Sequence, residues 1–389
     1  MTPLSITDYT LSTCIGSGKA ANWQAIREQR SGLQPCMFED IRDLSTWVGQ
    51  MAALETPISG HLQDYDCRNN RLAWLALNQD NFLANIQQKI QRIGASRVGI
   101  FLGSSTSGIH QTELAYFESR EVLPEWYNYQ KTHNAFSLVD FVRAVFQTTG
   151  PAIAISTACS SSAKVFASAQ RYIQAGLCDA AIVGGVDTLC LTTLYGFNAL
   201  QLLSPTPCAP FDVNRAGISI GEAGGFAFLE KDVEEAPHYL LGYGESGDAY
   251  HMSSPHPEGE GAQLAMRAAL ARAGLSAADI HYINLHGTGT QANDSAESKA
   301  VHAVFGSQTP ASSTKGWTGH TLGAAGIVEV ALSLLAIEQS YIPGNLHLQN
   351  LDPVADLAIA REGKAKSLQR VLSNSFGFGG SNCSLVLGT

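Results

Sequence analysis

Charge is scarce in this chain. Only 15% of its 389 residues are charged, against 45% hydrophobic ones, a balance that excludes intrinsic disorder and points to a compact protein with much buried surface. No apolar run reaches the length of a membrane-spanning helix, and the opening Met1-Thr-Pro-Leu-Ser-Ile-Thr-Asp8 lacks the basic and apolar blocks of a signal peptide. The expectation is a cytoplasmic protein with no membrane span. Cysteine pairs are missing as well: the eight cysteines (14, 36, 67, 159, 178, 190, 208 and 383) contain no C-x-x-C, so their spacing suggests neither a disulfide framework nor a zinc site. Positive charge is in deficit, with a net charge of −10 and a pI near 5.5, which disfavours nucleic-acid binding. Phosphate cradles are absent too. Gly16-Ser-Gly18, Gly221-Glu-Ala-Gly-Gly225 and Gly377-Phe-Gly-Gly380 fit neither the GxGxxG nor the Walker pattern.

What the chain does contain is alternation. Strand-like apolar runs at 97–102, 152–155, 180–183, 226–229, 239–241 and 281–285 are separated by helical patterns, which predicts an α/β architecture. A faint repeat links two helices: Val165, Ala169, Tyr172 and Ile173 recur at the same spacing as Val328, Leu332, Leu335 and Ala336. Two amphipathic helices in one large core would also give this pattern. A short loop rich in Ser, Thr and Gly precedes each helix, with Cys159 in one and His320 in the other. We therefore expect two related halves, 1–240 and 241–389, whose helix starts meet at one site.

Cys159 sits in Ser156-Thr-Ala-Cys-Ser-Ser-Ser162, between the run 151–155 and a helical run at 163–175. At a helix N-terminus a thiol feels the positive end of the dipole, which favours the thiolate. Taken alone, a cysteine among small residues is better explained by packing. Two segments shift that balance: His286-Gly-Thr-Gly-Thr290, after a strand-like run, and Lys315-Gly-Trp-Thr-Gly-His320, before a helical run at 324–339. Either histidine alone is an ordinary loop residue. With Cys159 they make a thiol nucleophile and two imidazoles able to donate hydrogen bonds or move protons. Gly377-Phe-Gly-Gly380, between Ser373-Asn-Ser-Phe376 and a strand-like 383–387, predicts a hairpin whose backbone N–H could serve a developing oxyanion.

Thr157-Ala-Cys-Ser-Ser-Ser162, Pro210-Phe-Asp212 leading to Gly221-Glu222, the two histidine segments, Asn293-Asp294 with Glu297, Gly323-Ala-Ala-Gly326, and Asn374 to Gly380 with Asn382 together resemble the β-ketoacyl-[acyl carrier protein] synthases, the elongating condensing enzymes of fatty acid and polyketide assembly. The resemblance implies a thiolase-like fold, two βαβαβαββ halves in five αβαβα layers, and a dimer that packs through its sheets. It implies that Cys159 accepts the acyl group, that the N–H groups of Cys159 and Phe378 form the oxyanion hole, and that Phe378 gates entry. His286 and His320 would support decarboxylation of a malonyl unit, with Lys315 an ordering and electrostatic group near Glu297 and Glu329, and Asp294 as support; the bland alternative for these three acids is solvation at the surface. It implies no cofactor and no metal, because substrates ride on the phosphopantetheine arm of an acyl carrier protein. Arg68 and Arg71 resemble carrier-contact positions, Arg120 and Lys131 less so, and positive charge is expected around the tunnel mouth.

Two departures stand out. Arg215-Ala-Gly217 has alanine where many relatives carry aspartate, and the loop 204–209 holds no basic residue. The Cys-His-His set argues against chain-initiating synthases, thiolases and papain-like hydrolases. A non-catalytic chain-length subunit is disfavoured by the presence of Cys159. A catalytic ketosynthase subunit of an aryl polyene or type II polyketide system, needing such a subunit as partner, is the alternative to general elongation.

Overall fold

Ten strands build the main sheet of the computed structural model, which describes residues 1–41, 43–231, 233 and 235–389. They are β1 (Leu4–Thr13), β2 (Val98–Gly103), β3 (Ala152–Ile155), β4 (Ala180–Asp187), β5 (Ala223–Glu230), β6 (His238–Gly247), β7 (Tyr282–Asn284), β8 (Ala311–Ser312), β9 (Arg370–Gly377) and β10 (Ser381–Gly388). A two-residue strand, Gly16–Ser17, pairs with β1. The hydrogen-bonded order is β8-β7-β9-β10-β6-β1-β5-β4-β2-β3.

Cut between β6 and β1, this order is one pattern written twice. Counting each half from its own first strand, both run 3-2-4-5-1. In both, the 3-2 and 2-4 pairings are parallel and the 4-5 and 5-1 pairings antiparallel. The halves join through antiparallel pairing of Leu4 with Leu240 and Ile6 with His238. Residue 240, where the sequence places the division, therefore lies inside a strand hydrogen-bonded to both halves.

Seven helices make the layers: α1 (Arg68–Leu77), α2 (Phe82–Ile93), α3 (Ser137–Phe146), α4 (Ser161–Gln174), α5 (Glu260–Ala273), α6 (Gln291–Phe305) and α7 (Ala325–Glu338). One core sets α4 and α7 between the sheet halves, with Phe101 and Val183 from one half and Val371 and Leu385 from the other packed on Phe166, Ala169, Ile327 and Leu334. A second joins α1, α2 and α3 to the outer face of the first half through Leu72, Phe82 and Phe141. A third joins α5 and α6 to the outer face of the second half through Met266 and Ala300. The result is the five-layered αβαβα, thiolase-like arrangement.

Position explains composition. Every residue of α7 from Ala325 to Ile337 is buried, which is why it lacks the polar face of a surface helix. The two central helices touch at their starts: a Cβ on Gly326 would lie 2.4 Å from the backbone nitrogen of Ala163, so only glycine allows this approach. No helix among the described residues is long and apolar enough to cross a membrane. β3 ends the sheet, and its residues are only partly covered.

Candidate active site

The thiol stands on a tight turn between β3 and α4. Ala158 takes a left-handed φ of 50°, a conformation that costs a non-glycine residue on the order of 1 kcal/mol and needs surrounding support. Support comes from Ser161, whose hydroxyl donates to the Ala158 carbonyl at 2.6 Å, and from Ser105, whose hydroxyl reaches the same oxygen at 3.2 Å. Asp187, at the end of β4, fixes the 104–106 segment by accepting from the Ser104 hydroxyl and the Ser105 and Thr106 amides. Sequence reasoning missed this buried carboxylate, since a lone Asp after a strand carries no motif.

From the second half comes His320, whose Nε2 lies 3.0 Å from Cys159 Sγ. Its backbone is pinned by the 219–221 segment: the His320 amide donates to the Ser219 carbonyl at 2.7 Å, and the Gly221 amide donates to the His320 carbonyl at 3.0 Å. His286, just past β7, stands nearly perpendicular to His320, with ring centres 5.2 Å apart. Beneath it the Glu297 carboxylate accepts from the amides of His286 and Gly287 at 2.8 and 2.7 Å. Asp294 accepts from the amides of Thr288 and Phe211 at 3.0 and 2.9 Å, and Arg215 approaches it to 3.4 Å. Lys315 donates to the Glu329 carboxylate and the His286 carbonyl, and its Nζ lies 3.3 Å from His286 Nδ1. Asp294, Glu297 and Glu329 are all buried, so surface solvation is not their role; Lys315 pairs with Glu329 rather than Glu297.

The hairpin between β9 and β10 closes the site. A Cβ on Gly377 would come within 2.8 Å of the Thr157 carbonyl and 3.3 Å of the Cys159 amide nitrogen, so this turn packs directly on the thiol loop. Phe378 follows, its ring 5.7 Å from that of Phe197. A cavity of about 210 Å³ reaches Cys159, His286, His320 and Phe378, walled by Phe197, Leu200, Leu202 and Ile218. Leu200 and Ala292, exposed members of its lining, mark the side open to solvent.

Burial overturns one expectation. The Cys159 thiol is pushed up to about 12, because burial outweighs the lowering by the Lys315 charge and the Phe378 N–H. A resting thiol with an adjacent imidazole replaces the free thiolate expected from the helix dipole alone. Burial, aided by the Lys315 charge, drives both His286 and His320 well below the usual imidazole value, so both rings are neutral near pH 7. Glu297 rises to about 7, its burial only partly offset by the amides of Gly287 and His286. Glu329 is raised by burial against the pull of Lys315.

The four basic positions do not join this site. Arg68 clamps buried Glu222 through both ends of its guanidinium at 2.6 and 2.7 Å. Arg71 grips Asp66 the same way at 2.7 and 2.5 Å. Lys131 is held by Asp140 and the Tyr65 hydroxyl, both at 2.7 Å. Only Arg120 is exposed, beside Tyr116 and Phe117 in a separate groove. No lysine or arginine lines the cavity.

Comparison with known proteins follows this geometry. Residues 1–235 match the profile described as beta-ketoacyl synthase, N-terminal domain, and residues 239–349 its C-terminal domain. A 3-oxoacyl-[acyl-carrier-protein] synthase 2 of Vibrio harveyi is 31% identical, covering 98% of this chain and 97% of its own. One from Staphylococcus aureus is 35% identical over 77% of this chain and 79% of its own. Among solved structures, the ketosynthase ApeO, in complex with its chain length factor ApeC, from Xenorhabdus doucetiae superposes with a TM-score of 0.91 at 37% identity, covering 100% of this chain and 98% of that one.

Proposed function

The chain belongs to the β-ketoacyl synthase family, and from that premise we propose that it is a catalytic, elongating ketosynthase: Cys159 takes an acyl group from a carrier protein and condenses it with a carrier-borne malonyl unit. The observation that carries this is the contact of Cys159 Sγ with His320 Nε2 at 3.0 Å, inside a cavity that also holds His286.

The chemistry follows from the electrostatics. A buried, protonated thiol needs a base as it attacks a thioester, and His320 is at hydrogen-bond distance to take that proton and pass it to the departing carrier thiolate, which leaves the ring neutral again. The amides of Cys159 and Phe378, brought together by the Gly377 turn, would receive the negative charge that develops on the acyl oxygen. In the second stage the malonyl carboxylate leaves as CO₂ and charge builds on the thioester oxygen. Neutral imidazole N–H groups stabilise it without becoming nucleophiles. His286 is suited to this because Lys315 faces its Nδ1, leaving the ring proton on Nε2. The carbanion then attacks the acyl-Cys159 thioester, the new carbon–carbon bond forms as the acyl–sulfur bond breaks, the Cys159 thiolate regains a proton, and the product leaves on its carrier, two carbons longer. Each proposed step draws on groups already present, so the reading calls for no cofactor, and it includes a cytoplasmic location, where carrier-borne substrates would be met. The two thiolase-like halves, expected at 1–240 and 241–389, would then divide just ahead of β6, so that this strand belongs whole to the second.

A second reading concerns assembly. The likeness to a ketosynthase solved with a chain length factor favours pairing with a related chain-length subunit in an aryl polyene or type II polyketide system over a homodimer, and the partly open edge of β3 offers a surface to either partner. The test is to supply purified protein with acyl and malonyl carrier proteins and follow products by mass, with and without that subunit. Acylation mapped to Cys159 and lost in Cys159→Ala supports the reading; acylation elsewhere overturns it. Condensation that appears only with the second subunit decides for the heterodimer.

A further inference from the structure

We infer that Cys159, His286 and His320 also form a ready-made chelate for a thiophilic divalent cation of the Zn²⁺ type, and that such an ion closes the site reversibly. The inference rests on the function proposed above for the meaning of closure, but not for the binding itself.

Three donor atoms, one from each residue, lie within 4.8 Å of one another, and all three residues are buried. In a tetrahedral zinc site with bonds of roughly 2.3 Å to sulfur and 2.0 Å to nitrogen, neighbouring donors stand roughly 3.3 to 3.6 Å apart. The Sγ–Nε2 distance of 3.0 Å lies just below that range and the spans to His286 stay within 4.8 Å, so small side-chain adjustments complete the set. Donor type fits as well: one sulfur and two imidazoles suit zinc better than magnesium or calcium, which take oxygen. The fourth position faces the cavity that admits substrate, the arrangement of three protein ligands with one open site.

The protons balance. Cys159 gives its thiol proton to solvent as the sulfur–metal bond forms. His320 binds through Nε2 with its proton on Nδ1, an atom that has no other partner. The His286 ring proton moves from Nε2 to Nδ1 as Nε2 takes the metal, so one proton, from the thiol, leaves and no electron moves. Lys315 keeps its contacts with Glu329 and the His286 carbonyl. Chain spacing hides this site, because the three residues come from separate loops of the two halves.

Cobalt(II) serves as a visible stand-in for zinc. Added to the full-length protein, it should bind one to one, with an intense near-ultraviolet sulfur-to-metal band. The band should vanish in Cys159→Ala and Cys159→Ser, and apparent affinity should fall at least tenfold in His320→Ala. Prior acylation of Cys159 should block binding, and a chelator should restore acyl transfer to metal-treated enzyme. Absence of the band in excess cobalt, or its persistence in both Cys159 variants, would overturn the inference. Acylation of metal-free protein, read by mass, reports separately on the proposed function.

Discussion

The two halves share a strand order and a central helix each, yet their loops at the site are built differently. In the first half the 156–160 turn carries one reactive group and is held by hydroxyls, through a segment fixed by the Asp187 carboxylate. In the second, the segments around His286 and His320 surround a buried ammonium paired with Glu329, with Glu297 and Asp294 tying down the backbone. A strained turn needs a rigid cradle, whereas two imidazoles kept neutral need burial and a nearby positive charge. One strand order is used twice, and the loops before α4 and α7 are what differ.

The comparison is broken most sharply at the thiol. Cys159→Ala should lower condensation at least a thousandfold, the order expected on removing a nucleophile, while leaving the unfolding midpoint in urea close to the parent. A large loss of stability instead would make the first half's loop a packing element. On the other side, His286→Ala should slow malonyl decarboxylation on the order of a hundredfold or more yet still allow acylation of Cys159, measured as CO₂ release against intact mass. Equal loss of both steps would end the assignment of separate tasks to the halves.

Stability sharpens the contrast. Lys315→Ala leaves Glu329 alone in the core and should cost about 3 to 5 kcal/mol in urea unfolding. Arg68→Ala strands buried Glu222 in the same way and should cost a similar amount, whereas a carrier-docking arginine would change only KM. The pH dependence is subtler. His286 and His320 have folded values below the unfolded one, so unfolded chains bind more protons and stability falls as pH drops below about 6.5. Each contributes a slope of about 1.4 kcal/mol per pH unit at most. Glu297 is raised to about 7, so its term runs the other way: stability is present below the unfolded carboxyl value and declines as pH rises through about 7. Glu297→Gln should remove that decline, and His320→Asn its own share of the acid-side loss while the His286 share stays, in urea titrations between pH 5 and 8. Smallest of all, exposed Arg120→Ala should change stability by less than about 0.5 kcal/mol.

Much of this was legible in the chain. Strand 152–155, the helices expected at 163–175 and 324–339, and the 377–380 hairpin lie where periodicity and glycine put them, because half-buried strands and regular helices write their period into sequence. β1 was not recognised. A bulge between Ile6 and Asp8 breaks its alternation, and its polar Ser5, Thr10, Ser12 and Thr13 are buried against neighbours. At the site, Cys159 and both histidines were recognised through their motifs, but the thiol's protonation was misjudged, since burial is a property of the fold rather than of the tripeptide. Phe197, Leu200 and Ile218 went unnoticed because an apolar wall has no signature beyond being apolar.

Gly326 sets a tolerance for the whole molecule. Since the beginnings of the two interior helices meet backbone to backbone there, a single methyl group at this position would wedge one half outward from the other. The gap between sulfur and imidazole is thus held by a contact that neither reactive residue makes, and the enzyme's gear teeth mesh because their axles touch.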